Sequence, residues 1–493
     1  MKKILSDTIK NFFYILFPFI VIFLGTIYPS GDSDLGWHLK YGEYFFRTGK
    51  ILRENTLSTM MPGFTWINSS WGTDLISYLI FHFSGFWGLS LTAALIIALI
   101  LYIFKKSFKL SFWEISLLFP IILYMEQPMF AVSFRGQLLS FLGLAVLYYL
   151  LVNYQNGRKK MIFFCLPLFW LWSNIHGEFI LGLGIFFLWA VAFILSKISF
   201  RGWKNIFSPL KEYLDLILSF ILSVFAAVIN PFGWEVYHEA VKHFNNPALK
   251  DIIEWISFER FSLLWWNLVI WEILIMLSIL IHLEKKKLKE NLPWLVPTFL
   301  ILIMSYLVRR YNWVLLLISI PVVRIFFQTI RPKKRILADI LSFTVLGGFY
   351  FYVISFQIPL ANIFHMDWDR YCTDFVKCSP KSVEYVANNK LAGDDLLTFY
   401  NWGGWIIWNY PEVKPGIDGR MHLWRDDKGY SAFDEYYPLE QNIKDIDNSR
   451  YSKVLINTSK PLYKKLIKLV DQGRWKLLYR DDLAAVFSKN IVK

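Results

Sequence analysis

A short acidic stretch near the start of the chain carries the first candidates for chemistry. Asp32 and Asp34 lie two residues apart, directly after an apolar run, and His38 follows four residues after Asp34. If a helix begins at Asp34, Asp34 and His38 share one face, and Asp32 lies beside the unpaired N–H groups of the first turn. Gly49 predicts the end of that helix. Such carboxylates can move a proton or bind a cation; the simpler alternative is an acidic N-cap on an interfacial helix.

Composition places these residues in a polytopic membrane protein. The chain has 493 residues, of which 55% are hydrophobic, 19% aromatic and only 18% charged, whereas soluble domains have about 25% charged residues. Apolar runs near or above about 18 residues recur along the chain, as transmembrane helices require. We therefore predict a mainly α membrane helical bundle in the lipid bilayer.

About eleven membrane spans are predicted, and the loops between them alternate in type. They cover residues 12–28, 87–104, 111–125, 138–152, 161–173, 179–196, 213–229, 264–282, 293–307, 313–329 and 337–356. An amphipathic segment at 71–83 precedes the second span. Every second loop is a cluster of Lys and Arg, which places those loops and the N-terminus in the cytoplasm. The other loops and the C-terminal domain are then extracytoplasmic.

The chain is predicted to have two domains. Residues 1–356 form the multi-span domain, with a first outer loop at 30–74, and residues 357–493 form a soluble extracytoplasmic α/β domain. The predicted strands of that domain are 395–400, 453–457, 475–479 and 484–488, with a helix at 461–470.

Charge and motifs exclude several classes of function. Nearly all of the net charge of +14 lies in the short loops of residues 1–356, as the positive-inside rule requires, so no nucleic-acid partner is expected. The sequence has no phosphate-binding loop, no dinucleotide fingerprint and no zinc motif. Of the three cysteines, Cys165 lies in an apolar run and is expected to be buried. Cys372 and Cys378 flank a short loop, where a disulfide and free thiols remain open.

The remaining unusual polar residues fall on the predicted outer side. Besides the acidic stretch, they are Arg135, Gln137, Asn174, His176, Glu178, Asn230, Trp234, His238, Arg309 and Arg310. Charged groups at span ends that do not follow the positive-inside rule are candidates for function. The alternative for each is a side chain that reaches the lipid headgroups. Their clustering on one side predicts a polar outer cavity, in which the arginines could hold phosphate oxygens.

The order of these motifs resembles the bacterial multi-span GT-C glycosyltransferases, which are related to the protein mannosyltransferases and the RgtA/B/C/D-like sugar transferases. The matching motifs are Asp32-Ser33-Asp34-Leu35-Gly36-Trp37-His38-Leu39 with Gly42, Arg135-Gly136-Gln137-Leu138, Asn174-Ile175-His176-Gly177, Asn230-Pro231-Phe232-Gly233, Arg309-Arg310, Asn401-Trp402-Gly403-Gly404-Trp405 and Ile417-Asp418-Gly419-Arg420. They cover nearly the whole chain in order.

This resemblance implies a polyprenyl-phosphate-linked sugar donor at the outer leaflet and a glycan, lipid or protein acceptor. It also implies that an acidic residue of the first outer loop is the catalytic base, which corresponds to Asp34 or Asp32. His38 is the third catalytic candidate, because from one helical turn away it could orient Asp34. Some relatives use a metal at this motif, so a divalent cation such as Mg²⁺ or Mn²⁺ on Asp32 and Asp34 stays open.

Other interpretations are weighed beside this one. A transporter or flippase for a lipid-linked saccharide would have paired halves with broken helices, which the sequence does not indicate. A non-catalytic scaffold would leave Asp32 and Asp34 without a purpose. In the C-terminal domain, Gly403 and Gly404 are expected in a turn, and residues 418–420 at a strand end with a local ion pair; acceptor binding by Asp418 and Arg420 is the alternative.

Overall fold

The computed structural model describes residues 12–130, 132–197, 212–356 and 363–490, which divide into two compact units. The helical unit contains residues 12–28, 90–240 and 250–356, apart from the gaps just given. The mixed unit contains residues 29–89, 241–249 and 363–490. The predicted domain boundary at 356/357 adjoins residues 357–362, which lie outside the described residues.

The helical unit consists of long apolar helices. They are Phe17–Gly25, Phe112–Met125, Gly136–Gln155, Cys165–Ile175, Phe179–Lys197, Leu214–Ala226, Leu263–Glu284, Leu288–Leu307, Arg310–Ile318, Ile320–Thr329 and Arg335–Phe356, together with the later part of Trp71–Phe108. Each predicted span coincides with a helical segment. Within the described residues, six helices are long and apolar enough to cross a membrane, or seven if the pair bent by 56° at Ser319 is one span. These helices indicate a membrane protein, and the count of eleven spans stays a prediction.

The ends of these helices hold the candidate residues of this unit. Arg135 immediately precedes Gly136–Gln155, His176 follows Cys165–Ile175, and Arg310 begins the helix that runs to Ile318. Backbone groups at helix ends have no partner within the helix, so such positions are polar by construction. These candidate side chains of the helical unit thus lie at helix ends.

The mixed unit is built on a four-stranded sheet. Its strands are β1 (Leu396–Thr398), β2 (Lys453–Asn457), β3 (Trp475–Arg480) and β4 (Ala484–Lys489), in the order β1-β2-β4-β3. The β1–β2 pair is parallel, and β4 is antiparallel to both its neighbours. These strands and the helix Pro461–Asp471 confirm the predictions for this region, although β1 is shorter than predicted because Tyr400–Trp402 forms a 3₁₀ turn.

The first loop belongs to this same compact unit, a feature that the sequence did not indicate. The backbone N–H groups of Thr59 and Met60 donate to the carbonyls of Pro415 and Gly416, each at 3.0 Å. Trp37, Tyr41 and Leu52 also form a buried cluster with Ile407 of the C-terminal segment. The first loop and the segment that follows the last helix therefore share one hydrophobic core.

The helix Leu35–Thr48 lies against two neighbours through glycines. The predicted helix is confirmed, with Asp34 as its N-cap and Gly49 in the left-handed conformation (φ 68°) at its end. A Cβ on Gly36 would lie 1.9 Å from the carbonyl oxygen of Gly404, and one on Gly42 would lie 2.3 Å from the Cβ of Tyr78. Only glycine at these positions permits the close approach of the backbones.

We expect Gly36→Ala to destabilise the mixed unit. The new methyl group would overlap a backbone oxygen, which cannot rotate away, and overpacking of this kind costs about 1–3 kcal/mol. The measurement is amide hydrogen exchange of residues 35–48 in the detergent-solubilised protein. Gly184→Ala, whose Cβ would meet nothing within 4 Å, is the matched control and should leave exchange unchanged. Equal protection in Gly36→Ala and wild type would show that the helix does not need this contact.

The cysteines divide as the sequence allowed. Cys372 and Cys378 form a disulfide, with their Cα atoms 4.9 Å apart, and Cys165 is a buried free thiol. The disulfide closes the turn that precedes the helix Pro380–Asn388, and the open question about the two nearby cysteines is thus resolved in favour of a bond.

Candidate active site

The side chain of Asp34 is not used for helix capping. Asp34 is the N-cap residue of the helix Leu35–Thr48, yet its carboxylate makes no capping hydrogen bond. The backbone N–H of Asp34 instead donates to Oδ1 of Asp32 at 3.2 Å. Asp32 is 5% exposed, and its backbone carbonyl accepts a hydrogen bond from the hydroxyl of Tyr371. The structure therefore does not support the simpler interpretation of Asp34 as an ordinary capping carboxylate.

The carboxylate of Asp34 lies directly against the backbone of Gly419. A Cβ built on Gly419 would lie 1.8 Å from Oδ1 and 2.6 Å from Cγ of Asp34. Gly404 contacts the same turn, since its Cβ would lie 2.5 Å from the carbonyl oxygen of Ser33. Gly404 and Gly419, from two C-terminal motifs, thus pack closely against the acidic loop that carries the half-buried carboxylate of Asp34.

These glycines correct one prediction. Gly403 and Gly404 were expected in a turn, but they begin the helix Gly403–Asn409. A Cβ on Gly403 would lie 2.5 Å from the Cβ of Asp418. The reason for glycine here is close packing against the acidic loop and against residue 418, which no local turn signal could reveal.

His38 pairs with a carboxylate that sequence reasoning missed. Its Nδ1 lies 2.5 Å from Oδ1 of Asp74, and Oδ2 of Asp74 accepts a hydrogen bond from the Asn68 amide at 2.6 Å. Asp74 is 1% exposed and lies in the first turn of the helix Trp71–Phe108. Acidic residues are common in first turns, so nothing in the sequence marked it. His38 is therefore held by Asp74.

The pKa of His38 lies above its ordinary value. Burial alone would lower this pKa, but the charge and hydrogen bond of Asp74 raise it, and the charges of Asp32 and Asp34 raise it further. The imidazolium form is thereby favoured, and both ring nitrogens are then donors.

A buried ion pair between Asp418 and Arg420 flanks Gly419, the residue that contacts Asp34. The guanidinium of Arg420 donates to both carboxylate oxygens of Asp418 at 2.7 Å, and Ser58 of the first loop donates to the same carboxylate. Both charged side chains are fully buried, and the Arg420 guanidinium lies 5.1 Å above the ring of Trp424. The expected local ion pair is confirmed, although the segment forms a turn and not a strand end.

We expect Gly419→Ala to reduce activity far more than stability. The new methyl group meets the carboxylate of Asp34, which can rotate away, so the fold survives while the acid moves. A displacement of about 1 Å costs about 10²-fold in rate. The measurement is the initial rate of sugar transfer together with the thermal unfolding midpoint, with Gly184→Ala as control. When Asp34→Asn is already present, adding Gly419→Ala should not lower the rate of sugar transfer further. If the two losses of rate instead add, Gly419 does not act through its contact with Asp34.

The helical unit contains a second polar constellation, the arginine–glutamate cluster of Arg135, Glu178, Glu254 and Arg310. Arg310 donates to Glu178 at 2.9 Å and to Glu254 at 3.1 Å, and Arg135 lies 3.6 Å from Glu254. Forked guanidinium groups suit such paired contacts with carboxylate or phosphate oxygens. Glu178 was placed on the predicted outer side but was assigned no role. Glu254 was not predicted, because the loop that holds it carries no motif that would have indicated it.

The other predicted residues of the helical unit lie at helix ends, and all of them except Gln137 have structural partners. Nδ1 of His176 lies 2.8 Å from the hydroxyl of Ser140 and 3.6 Å from Glu178. Asn174 donates to the carbonyl of Ile229 at 2.9 Å, and Arg309 donates to that of Ser257 at 2.9 Å. Gln137 is fully buried, and within the described residues its side-chain amide has no hydrogen-bond partner.

The structure thus gathers the predicted residues into two sets, one in each unit. The mixed unit brings together Asp32, Asp34 and His38 and adds Asp74. The helical unit brings Arg135, His176 and Arg310 together around two glutamates, with Asn174, Arg309 and Gln137 at neighbouring helix ends. The first set places carboxylates beside a histidine, and the second pairs two guanidinium groups with two carboxylates.

Comparison with known proteins identifies the fold. No protein-family model matches the chain, and no curated protein matches it by sequence. Among solved structures, the oligosaccharyltransferase of Archaeoglobus fulgidus matches in its apo form with a TM-score of 0.54 and 10% identity, over 92% of this chain and 70% of that chain. The same enzyme tethered to an acceptor peptide that contains the NVT sequon matches with a TM-score of 0.52 and 10% identity, over 91% and 70% of the two chains. The chain therefore shares the fold of this oligosaccharyltransferase, which supports, at the level of the fold, the GT-C resemblance that its motifs suggested.

Proposed function

We propose that this protein is an integral membrane glycosyltransferase that moves a sugar from a polyprenyl-phosphate-linked donor to an acceptor on the extracytoplasmic face. The observation that carries the proposal is the half-buried carboxylate of Asp34, which is turned away from capping and held against Gly419. The shared fold with an oligosaccharyltransferase supports transfer of a glycosyl group. The acceptor of that enzyme is a peptide; for this chain a glycan, a lipid or a protein fits the proposal.

In the proposed reaction, Asp34 acts as the general base. It takes the proton of an acceptor hydroxyl while the oxygen attacks the anomeric carbon of the sugar, and the bond from that carbon to the phosphate oxygen breaks. The polyprenyl phosphate leaves with the electron pair of that bond. His38, held by Asp74 at 2.5 Å, lies one helical turn from Asp34 and is proposed to orient it.

Arginine side chains of the helical unit are proposed to bind the donor phosphate. Arg135, Arg309 and Arg310 each present a planar fork of donors, and Arg310 already engages two carboxylates at 2.9 Å and 3.1 Å. A phosphate would compete with Glu178 and Glu254 for these donors. We propose that the two glutamates hold the guanidinium groups in a binding geometry before the donor arrives.

A divalent cation is compatible with the acidic residues of the mixed unit. Within the described residues, no three side chains of His, Cys, Asp or Glu form a metal-binding group. Asp32 and Asp34 nevertheless supply two carboxylates, and Mg²⁺ in proteins is commonly held by one or two carboxylates, water and substrate phosphate. An ion of this kind, Mg²⁺ or Mn²⁺, would neutralise charge on the leaving phosphate. Loss of activity with a chelator and its return with Mn²⁺ would support this arrangement.

The proposed location is the cell membrane, with eleven spans, a cytoplasmic N-terminus and an extracytoplasmic C-terminal domain. Lys and Arg clusters in every second loop support this topology. The disulfide between Cys372 and Cys378 agrees with an oxidising compartment for the mixed unit, since disulfides are rare in the cytosol.

The fate of the sugar separates this proposal from a transporter. Purified protein in sealed vesicles would receive a polyprenyl-phosphate sugar labelled in the sugar, together with a mixture of candidate acceptors. We expect the label to form a new covalent bond and free polyprenyl phosphate to accumulate, as mass spectrometry would detect. Movement of the intact donor across the bilayer without bond cleavage would instead support the transporter interpretation.

A further inference from the structure

The helical unit contains a cavity that the proposed reaction does not use. Its volume is about 390 Å³, and it is lined at the ends of Trp71–Phe108, Gly136–Gln155 and Leu263–Glu284. These are the helix ends that are followed by loops rich in Lys and Arg. By the positive-inside rule, this end of the helices faces the cytoplasm.

The charged lining of the cavity is entirely basic. Lys109, Lys287 and Arg324 line it, and no acidic side chain does. Arg324 is already paired, since its Nε donates to Glu114 at 3.1 Å. Among the described residues, no ion pair or hydrogen bond occupies the ammonium group of Lys109 or Lys287. Both lysines are exposed, so two solvated ammonium groups lie at the open rim of the cavity, where they can meet a bound anion.

A buried histidine supplies a second, independent indication of a ligand. His282 lines the cavity and is 3% exposed, and within the described residues its one hydrogen-bonding neighbour is the backbone of Val322. Buried polar groups in native proteins nearly always have partners, so the second ring nitrogen calls for water or a ligand. That nitrogen can form a hydrogen bond with a group in the cavity, as a donor when the ring is protonated.

Aromatic and aliphatic side chains complete the wall. Phe108, Trp294 and Ile325 lie beside the basic residues, and Nε1 of Trp294 is fixed by a hydrogen bond to Gln155 at 3.1 Å. A site with two free cations, a donor from His282 and an apolar flank matches a group that is anionic at one end and apolar at the other. Lysines beside a membrane surface attract anionic headgroups in the same way.

We propose that this cavity binds the phosphate group of an anionic amphiphile from the cytoplasmic leaflet. Lys109 and Lys287 neutralise the phosphate, His282 donates a hydrogen bond to it, and the apolar flank contacts the first carbons of the lipid. A free phosphate could supply the same charged group, so the test includes both sources. The inference does not depend on glycosyl transfer, because it concerns different residues at the other ends of the helices.

The test compares two neighbouring lysines. The full chain in neutral detergent would be titrated with dioleoyl phosphatidic acid, with phosphatidylcholine and with inorganic phosphate, and bound ligand counted by native mass spectrometry. Lys287→Gln removes a charge from the cavity wall, whereas Lys286→Gln removes one from the adjacent position, which does not line the cavity. We expect one equivalent of phosphatidic acid to bind, with affinity about fivefold weaker in Lys287→Gln and unchanged in Lys286→Gln.

Each outcome of this titration is decisive. Saturable binding of inorganic phosphate that weakens in Lys287→Gln alone would assign the site to the free anion. Equal weakening in both variants would show nonspecific attraction and overturn the proposal, as would the absence of saturable binding of either phosphate probe. His282→Phe, which retains a ring but removes its donor, should also weaken the binding of phosphate probes without changing the thermal unfolding midpoint by more than a few degrees.

Discussion

Asp34→Asn is expected to lower the rate of sugar transfer by about 10²–10⁴-fold, the usual contribution of a positioned general base. The amide keeps the shape of the side chain that lies against Gly419, but it cannot accept the acceptor's proton. Since the side chain makes no capping hydrogen bond, the helix Leu35–Thr48 should remain folded. Initial rates and thermal unfolding midpoints of the purified variant provide the measurement.

A matched control for this variant is Glu43→Gln. Glu43 lies on the same helix, is half-buried and pairs with Lys40 at 2.7 Å, so its substitution removes one carboxylate without touching the acidic residues around Asp34. Partly exposed pairs of this kind contribute about 0–1 kcal/mol, and transfer should continue at the wild-type rate. A similar loss in both variants would assign the effect to net charge and not to Asp34.

Arg420→Met is expected to reduce the stability of the mixed unit by about 3–5 kcal/mol. The substitution leaves the carboxylate of Asp418 fully buried without its cation, and uncompensated buried charge is among the costliest defects in a folded protein. Hydrogen exchange of residues 417–420 and the unfolding midpoint report the loss. Adding Asp418→Asn should restore much of the stability, because the buried charge is then gone.

The direction in which pH changes the stability of this pair can also be predicted. Burial alone would raise the pKa of Asp418, but Arg420 and the hydrogen bond from Ser58 outweigh it, so the pKa lies below its ordinary value of 3.8. The wild-type pair therefore contributes stability that is present above pH 3.8 and is lost as the pH falls through the lowered pKa. In Arg420→Met burial dominates, and the variant should instead lose stability as the pH rises.

A solvent-exposed ion pair provides the control for Arg420→Met. Arg425→Met removes a guanidinium that pairs with Asp434, and the two side chains are 34% and 45% exposed. Solvent screens such a pair, so its loss should change stability by about 0–1 kcal/mol and leave the pH profile unchanged. If Arg420→Met reduced stability as little as Arg425→Met, the buried ion pair would not stabilise the segment that holds Gly419 against Asp34.

Local patterns in the sequence predicted the elements of the fold well. Gly49 marks the end of the helix that Asp34 begins, because the left-handed residue after a helix is most often glycine. Alternating apolar residues identified β2, β3 and β4, and apolar runs identified the helical segments of the helical unit. Each of these signals depends only on residues that are close together in the sequence.

The contacts that give the candidate site its chemistry depend on distant residues and could not be predicted. Asp74 lies 36 residues from His38 and resembles any acidic residue in a first turn. Gly36 and Gly404 meet only because the first loop and the C-terminal segment share a core. The resemblance to GT-C enzymes indicated that these motifs matter, but the reason for each glycine is a tertiary contact.

Polyprenyl phosphate released from a polyprenyl-phosphate sugar, normalised to bound donor, is the most direct test of the proposed active site. Wild type, Asp34→Asn and Glu43→Gln would be compared in one preparation of proteoliposomes, with donor binding measured in parallel. We expect all three to bind the donor within about threefold, and wild type and Glu43→Gln to release the lipid phosphate while Asp34→Asn does not. Equal release by Asp34→Asn and wild type would contradict the assignment of Asp34 as the catalytic base.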